Sequence, residues 1–355
     1  MRLIPDQHRL DIRSTAEMTV DQLALLRLPL GTSEVIRDYE DENRPRRGGV
    51  IFGFVPLLMT YILMECRKTT YRGIVKNLSD HDCACLGLPV GKDGKFMRPS
   101  AGTLNGFVNN RLSKVADQLV TELAKAVLES IPGSMIITLD STPMQASSWN
   151  RDAEYNPHYG MRMDKAHIVM VNGHPLFMFR SSGTAGDNPF AAPLIELFHS
   201  VNPGGRKCSL CADGAYYCFE TYALVYMRTG AVMACNLPEG AVSSGLEEED
   251  IRKAYCDLWK ADGYDPHRKN DTDFMLRFLF RNGRAELAGM YIRDLAMSGE
   301  KRGENPRHVC ETVHRAMKRW VDFDIFRIRK ATKELRVKCR FLCVGLLSAL
   351  FRGYT

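Results

Sequence analysis

The sequence has no apolar stretch long enough to cross a membrane. Its longest uncharged segment near the amino terminus, residues 50–64, has about 15 residues and contains Pro56, whereas a helical membrane span needs about 20. Residues 1–13 mix charges with single apolar residues, which is not the pattern of a secretory signal. The sequence therefore predicts a protein that is neither exported nor inserted in a membrane.

The sequence also lacks repeats, low-complexity tracts and the dense cysteine spacing of a small secreted scaffold. Its 11 cysteines in 355 residues fit free thiols in a reducing compartment, which predicts a cytoplasmic protein. A composition of 45% hydrophobic and 25% charged residues is that of an ordinary globular protein. The length allows two or three domains.

Charge is distributed unevenly along the chain. The net charge is +6 overall, but residues 237–300 carry −4 and residues 301–355 carry +9. A basic cluster of this kind is expected of a protein that binds a polyanion. A basic helix that is merely solvated is the alternative.

Apolar periodicity divides the chain into a helical first part and a mixed second part. Residues 1–133 are predicted to be helical, with Val115, Leu119 and Leu123 at helical spacing. The charged run of residues 38–47, followed by two glycines, resembles a linker. Pro132-Gly133 ends the helical part.

From residue 134 onward, short β-branched runs predict buried strands. Asn172-Gly173 between two apolar runs predicts a tight hairpin. The predicted elements are a strand at 135–139, a hairpin of strands at 167–171 and 174–179, a helix at 189–198, a strand at 208–212, a helix at 216–226 and a strand at 231–235. This succession predicts a mixed α/β fold of the ribonuclease H-like kind. Residues 237–300 interrupt it as a mostly helical insertion, with one segment at 274–291, and a final helix is expected to begin at Asn305-Pro306.

Two of the predicted strands end in an aspartate, Asp140 and Asp213. The carboxyl ends of strands in an α/β sheet are where ligands gather. Each aspartate taken alone is more often a structural turn or cap residue.

The predicted last helix carries Glu311 on its polar face, with Arg307, Arg315 and Lys318 at helical spacing around it. An exposed face with ion pairs four residues apart would explain this pattern. The functional interpretation is a metal-ligating carboxylate beside cations that hold phosphates.

With these two aspartates and this helix, the sequence resembles the insertion-sequence transposases, which have an Asp-Asp-Glu triad on a ribonuclease H-like core. In that family's Tyr-x2-Arg-x3-Glu-x6-Lys signature, the last three positions match Arg307, Glu311 and Lys318, while the Tyr position holds Glu304. The other matching segments are 137–143, 155–159, 163–167 and 212–216.

The resemblance implies a DNA transposase that cleaves and joins the ends of a mobile element. Asp140, Asp213 and Glu311 would be the catalytic and metal-binding triad, because converging carboxylates repel one another unless cations such as two Mg²⁺ or Mn²⁺ ions neutralise them. Residues 134–236 and 301–355 would form the catalytic domain, and residues 1–133 a helical DNA-binding region.

The implied partners are double-stranded DNA at the element's terminal inverted repeats and target DNA, bound by a homodimer. The residues expected to contact DNA are Arg307, Arg315, Lys318, Arg319 and Lys165. Two alternatives stay open: a DNA-binding descendant without catalytic activity, and a nuclease of the same fold that only hydrolyses DNA.

Two groups of cysteines have spacings that are compatible with metal binding. Cys208-x2-Cys211 lies on a predicted strand, where positions three apart face opposite ways, so core thiols are favoured over a zinc or redox site. His81, Cys83 and Cys85 could form a zinc site with Cys66, but structural thiols are again the favoured interpretation.

Overall fold

The computed structural model describes residues 1–5, 9–10, 18–43, 52–147, 152–202, 208–235, 240–261, 271–297, 307–321, 324 and 330–351, without the side chains of residues 307–313 and 330–331. Within these residues, no helix combines the length and the apolar character that a membrane crossing requires.

The amino-terminal part is helical, and its helices begin well before residue 50. They are α1 (Val20–Ala24), α2 (Arg27–Gly31), α3 (Glu34–Glu42), α4 (Phe54–Cys66), α5 (Tyr71–Asn77), α6 (Asp80–Leu86), α7 (Ala101–Phe107) and α8 (Ser113–Ser130), with a π-helical turn at Val108–Leu112. The Ser33 hydroxyl caps α3 by accepting from the Ile36 N–H. The run predicted as a linker is therefore helical up to residue 42, and residues 44–51 lie outside the described part.

Helix α4 is the central helix of this part. Every side chain from Leu57 to Glu65 is buried, and a helix that is apolar on all sides belongs in a protein core. The buried position of α4 explains why residues 50–64 carry no charge.

The second part forms a six-stranded mixed sheet flanked by helices. Its strands are β1 (Met135–Gln145), β2 (Glu154–Asn156), β3 (Met161–Val171), β4 (His174–Ser182), β5 (Cys208–Ala212) and β6 (Met233–Cys235), and its helices include α9 (Ala191–Val201) and α10 (Phe219–Thr229). The order is β2-β3-β1-β5-β6, with β4 also paired to β3. Antiparallel β1, β3 and β4 followed by parallel β5 and β6 confirm the predicted α/β class and are compatible with a ribonuclease H-like fold.

The predicted Asn-Gly hairpin is confirmed. Asn172 and Gly173 join β3 to β4 with φ values of 47° and 81°, the left-handed conformation that a two-residue turn of this type requires. The Asn172 side chain also accepts from the Ile136 N–H at 2.8 Å, which fixes the turn to the neighbouring strand β1.

Strand β1 is longer than predicted. The sequence predicted that it stops at Asp140, but its antiparallel pairing with β3 continues to Gln145. Only the parallel pairing with β5 stops earlier, at Leu139. Asp140 therefore lies inside β1 and immediately beyond the end of its parallel ladder.

The insertion contains α11 (Glu248–Ala261), α12 (Thr272–Arg281) and α13 (Ala285–Met297). The segment predicted as one helix over 274–291 is two helices, because Gly283 adopts φ 75° between them. Helix α13 packs closely on α10: a Cβ at Gly289 would overlap the Phe219 backbone, and Arg293 Nη1 donates to the Tyr217 hydroxyl at 2.8 Å. The insertion is therefore packed against the sheet region through α10.

The chain ends in α14 (Arg307–Trp320) and α15 (Lys330–Ser348). The predicted cap at Asn305-Pro306 lies outside the described residues. Helix α15 packs against α8, α4 and β4, and its apolar second half is buried. The last helix of the chain thus joins the helical part to the sheet.

Candidate active site

The two predicted aspartates occupy neighbouring positions in the sheet. Leu139 and Ala212 are the last parallel partners of β1 and β5, so Asp140 and Asp213 each follow directly. Adjacent strands run about 5 Å apart, and side chains at matching positions share a face of the sheet. The fold therefore places both carboxylates at the same edge of the parallel ladder.

The backbone next to each aspartate orients its carboxylate. Asp140 Oδ1 accepts from the Ser141 N–H at 2.8 Å, and Asp213 Oδ1 accepts from the Gly214 N–H at 2.6 Å. Asp213 also caps the short 3₁₀ turn Gly214–Tyr216. The turn-and-cap interpretation of Asp213 is thus correct, and it is compatible with a role in a site.

Helix α14 lies beside β1 and contributes a histidine that the sequence patterns did not single out. His314 Nδ1 lies 3.4 Å from Asp140 Oδ2. His314 comes three residues after Glu311 and four before Lys318, so helical spacing puts it near the same face. That spacing was the signal available in the sequence.

His314 is neutral at physiological pH. Burial, reinforced by the positive charge of Lys318, lowers the pKa of its imidazole to about 4. Its Nε2 atom is buried and has no hydrogen-bond partner among the described residues. Buried polar atoms usually have a hydrogen-bond partner, and strongly shifted pKa values cluster at functional sites, which makes His314 a candidate site residue.

The other candidate residues of α14 are described to different extents. Arg315, Lys318 and Arg319 are exposed, and partial desolvation lowers the pKa of the Lys318 ammonium although Asp324 opposes the shift. Glu311 and Arg307 lie in α14, but their side chains lie outside the described residues. The structure therefore gives the place of Glu311 in the helix and not its contacts.

Next to Asp140, a buried network is centred on Asp187. Its carboxylate accepts from Ser141 Oγ at 2.9 Å and from Lys165 Nζ at 2.9 Å. Lys165 Nζ also donates to the Ala185 carbonyl at 3.0 Å. Lys165, expected from the sequence to contact DNA, is here paired inside the protein, and its phosphate contact stays a prediction.

His167 completes this network on β3, opposite Ser141. Its ring stacks on Phe190 with centroids 3.9 Å apart, and its Nε2 lies 2.7 Å from Ser181 Oγ. Burial is the main cause that lowers its pKa to about 4, with Lys165 adding to the shift and Asp187 opposing it. The ring is therefore a neutral, packed part of the site wall.

The thiols of β5 fit the structural interpretation. Burial raises the pKa of Cys211 to about 11 and also raises that of Cys208. A thiol that resists ionisation is a poor nucleophile. Cys208 and Cys211 therefore belong to the packing of the sheet.

Comparisons with known proteins give little more. No protein-family model matches the chain, and no curated protein matches it. Among solved structures, the piggyBac transposase in its synaptic complex with hairpin DNA is weakly similar, with 10% sequence identity and a TM-score of 0.32 over 99% of this chain and 83% of that chain. A likeness this weak does not establish a common fold.

Proposed function

We propose that this chain is a metal-dependent DNA transposase with a ribonuclease H-like catalytic domain. Residues 134–236 and 301–355 form that domain, residues 1–133 a helical DNA-binding region, and residues 237–300 an insertion. The observation that supports this most is the neighbouring placement of Asp140 and Asp213 beside α14, the helix that contains Glu311.

The donor chemistry fits hard divalent cations. Two carboxylates at one edge of the sheet, with a third predicted from Glu311, supply the oxygen ligands that Mg²⁺ and Mn²⁺ prefer. Such ions, when bound, would activate an attacking water or 3′-hydroxyl and stabilise the leaving oxygen. The backbone N–H groups of Ser141 and Gly214 prepare the site by orienting the two carboxylates.

His314 and the Asp187 network support these carboxylates. His314 adds a polar contact to Asp140 through its Nδ1 atom. Asp187 holds the hydroxyl of Ser141, the residue next to Asp140, and thereby limits movement of β1. The exposed cations of α14 are proposed to hold the phosphates of double-stranded DNA at the terminal inverted repeats.

The test uses linear DNA fragments that carry the sequences flanking the gene, with a supercoiled plasmid as target. The unaltered chain is expected to cleave and join them with Mg²⁺ or Mn²⁺ and to stop when a chelator is added. Asp140→Asn, Asp213→Asn and Glu311→Gln should each abolish cleavage while DNA binding survives. Asp257→Asn, an exposed aspartate on α11, is the matched control and should stay active.

The same assay separates the alternatives. Cleavage without joining would identify a nuclease that only hydrolyses DNA. Binding without cleavage at any metal concentration would identify a catalytically silent descendant. Full activity of one of the three variants would remove that residue from the proposed triad.

A further inference from the structure

Three side chains with metal-ligand chemistry meet on the surface of the amino-terminal helices, in a region separate from the candidate active site. Asp21 comes from α1, and His81 and Cys85 come from α6, four residues apart and therefore on one face. The carboxylate, imidazole and thiol all have their ligand atoms within 4.8 Å of one another.

The group differs from the one that the sequence suggested. Cys83 is buried in the core, and neither it nor Cys66 belongs to the group. The neighbouring Asp82 is already engaged: it pairs with Arg67 at 2.7 Å and caps α6 through Ser79. The ligand missing from the sequence-based proposal is Asp21, which only the packing of α1 on α6 brings near.

The separations of the three ligand atoms are those of one face of a tetrahedron. They are 3.0 Å for His81 Nε2 to Asp21 Oδ1, 3.6 Å for Cys85 Sγ to Asp21 Oδ1 and 3.8 Å for Cys85 Sγ to His81 Nε2. Zinc binds N and O at about 2.0–2.1 Å and S at about 2.3 Å, so tetrahedral angles place these atoms about 3.3–3.6 Å apart. Each observed separation lies within about 0.3 Å of that geometry.

A hydrogen bond between His81 and Asp21 would account for their 3.0 Å separation alone. A weak hydrogen bond from Cys85 Sγ to Asp21 Oδ1 at 3.6 Å would account for the position of the thiol beside the carboxylate, and Sγ also lies 3.8 Å from His81 Nε2. A shared cation would bring all three together.

We propose that Asp21, His81 and Cys85 bind a zinc ion, with water as the fourth ligand. The thiol and imidazole select a borderline-soft transition metal over Mg²⁺. His81 and Asp21 are both largely exposed, at 62% and 69%, which leaves the fourth position open to solvent. The ion joins α1, a helix of five residues, to α6 and so stabilises the start of the helical part.

The test is a Co²⁺ titration of the full-length chain after removal of metal with a chelator. Cobalt bound by a thiolate gives a near-ultraviolet charge-transfer band that carboxylate sites do not give. Binding of Co²⁺ at the Asp140–Asp213 site therefore does not interfere, and the result is independent of the proposed transposase activity. The unaltered chain should develop the band as Co²⁺ is added and lose it when Zn²⁺ is added.

The variants are Cys85→Ser, His81→Ala and Asp21→Asn, all at accessible positions. Cys85→Ser should abolish the band. Because loss of a group that merely orients a metal ligand already costs about 10- to 100-fold in affinity, His81→Ala and Asp21→Asn should weaken Co²⁺ binding by at least about tenfold.

Cys218→Ser is the matched control, since Cys218 contacts Glu220 at 2.6 Å in a thiol–carboxylate pair outside the proposed site. It should leave the band unchanged. Circular dichroism verifies that each variant is folded, and thermal melting provides a second measurement: Zn²⁺ should raise the Tm of the unaltered chain by more than that of Cys85→Ser. Absence of the band in the folded, unaltered chain, or its survival in Cys85→Ser, would overturn the proposal.

Discussion

Asp187 compensates the positive charge of Lys165 inside the protein. The Lys165 and Asp187 side chains are only 15% and 9% exposed, so Asp187→Ala leaves a nearly buried ammonium group without its carboxylate. Breaking a buried pair in this way costs about 3 kcal/mol or more. We expect the free energy of unfolding, measured by urea titration, to fall by that amount.

Two comparisons test this explanation of the Asp187 effect. Replacing Lys165 with Met in the Asp187→Ala background should recover part of the loss, because the unpaired charge is then gone. Asp117→Ala breaks an equally short but exposed pair with Lys338 and should cost less than about 1 kcal/mol. Equal costs at the two sites would contradict the assigned role of burial.

His167 makes stability depend on pH. The pKa of its imidazole is lowered from 6.5 to about 4 in the folded chain. Below pH 6.5, the imidazole is therefore protonated in the unfolded chain while it stays neutral in the folded chain. The contribution of His167 to the free energy of unfolding is therefore fully present above pH 6.5, the pKa in the unfolded chain, and is lost as the pH falls toward 4. Between pH 7 and pH 5 the loss is about 2 kcal/mol.

His167→Gln should reduce the loss of stability between pH 7 and pH 5 by about 2 kcal/mol, whatever its effect on stability at pH 7. The measurement is urea unfolding at both pH values in buffer that contains chelator. His158→Gln, at an exposed position before β3, should follow the unaltered chain. An unchanged pH dependence in His167→Gln would mean that another group causes it.

At the scale of secondary-structure elements, the sequence predicted correctly those elements whose conformation depends mainly on neighbouring residues. The Asn172-Gly173 turn and the buried strand runs need no distant partner to be recognised. The extension of β1 through Ser141 and Thr142 was missed because those polar residues become strand only by pairing with His167 and Ala166 on β3. The Asp187 network was missed for the same reason: its members are up to 46 residues apart in sequence.

Helix α14 is expected to set the salt dependence of DNA binding. Arg315, Lys318 and Arg319 are exposed on it, and each cation that neutralises a phosphate contributes a log–log slope of about −0.9. Replacing Arg315 and Arg319 with Ala should make the slope shallower by about two units. Fluorescence anisotropy at several salt concentrations measures it.

The matched control for the salt experiment is the double replacement of Arg281 and Arg284, which are exposed cations of the acidic insertion. Their replacement should leave the slope unchanged. A slope that responds equally to both pairs would show that net charge, and not the face of α14, governs the binding of DNA.

At the scale of the whole molecule, the excess positive charge of the last 55 residues has two uses. Four cations of α15 form ion pairs with carboxylates elsewhere: Lys333 with Asp164, Arg336 and Arg340 with Glu65, and Lys338 with Asp117. Part of the charge that the sequence attributed to a polyanion partner therefore holds α15 in place. The sequence could not separate the two uses, because the compensating carboxylates lie far away in the chain.

Glu65 connects the helical part to α15 at the end of the chain. Because this contact joins the two parts, we expect the molecule to unfold as one unit. Glu65 lies on α4, is buried, and pairs through Oε2 with Arg340 Nε at 3.0 Å. Glu65→Gln should cost about 3 kcal/mol because two arginines lose a buried partner. The exposed Glu42→Gln on α3 is the control and should change little.

Three buried thiols report unfolding in different parts of the molecule: Cys83 in α6, Cys211 in β5 and Cys343 in α15. Pulsed alkylation at increasing urea concentration, read by mass spectrometry, gives a midpoint for each. A single cooperative unit requires the three midpoints to coincide and to shift together in Glu65→Gln. If Cys83 reacts at lower urea than the other two, the helical part unfolds by itself, and the Glu65 contact does not couple it to the sheet.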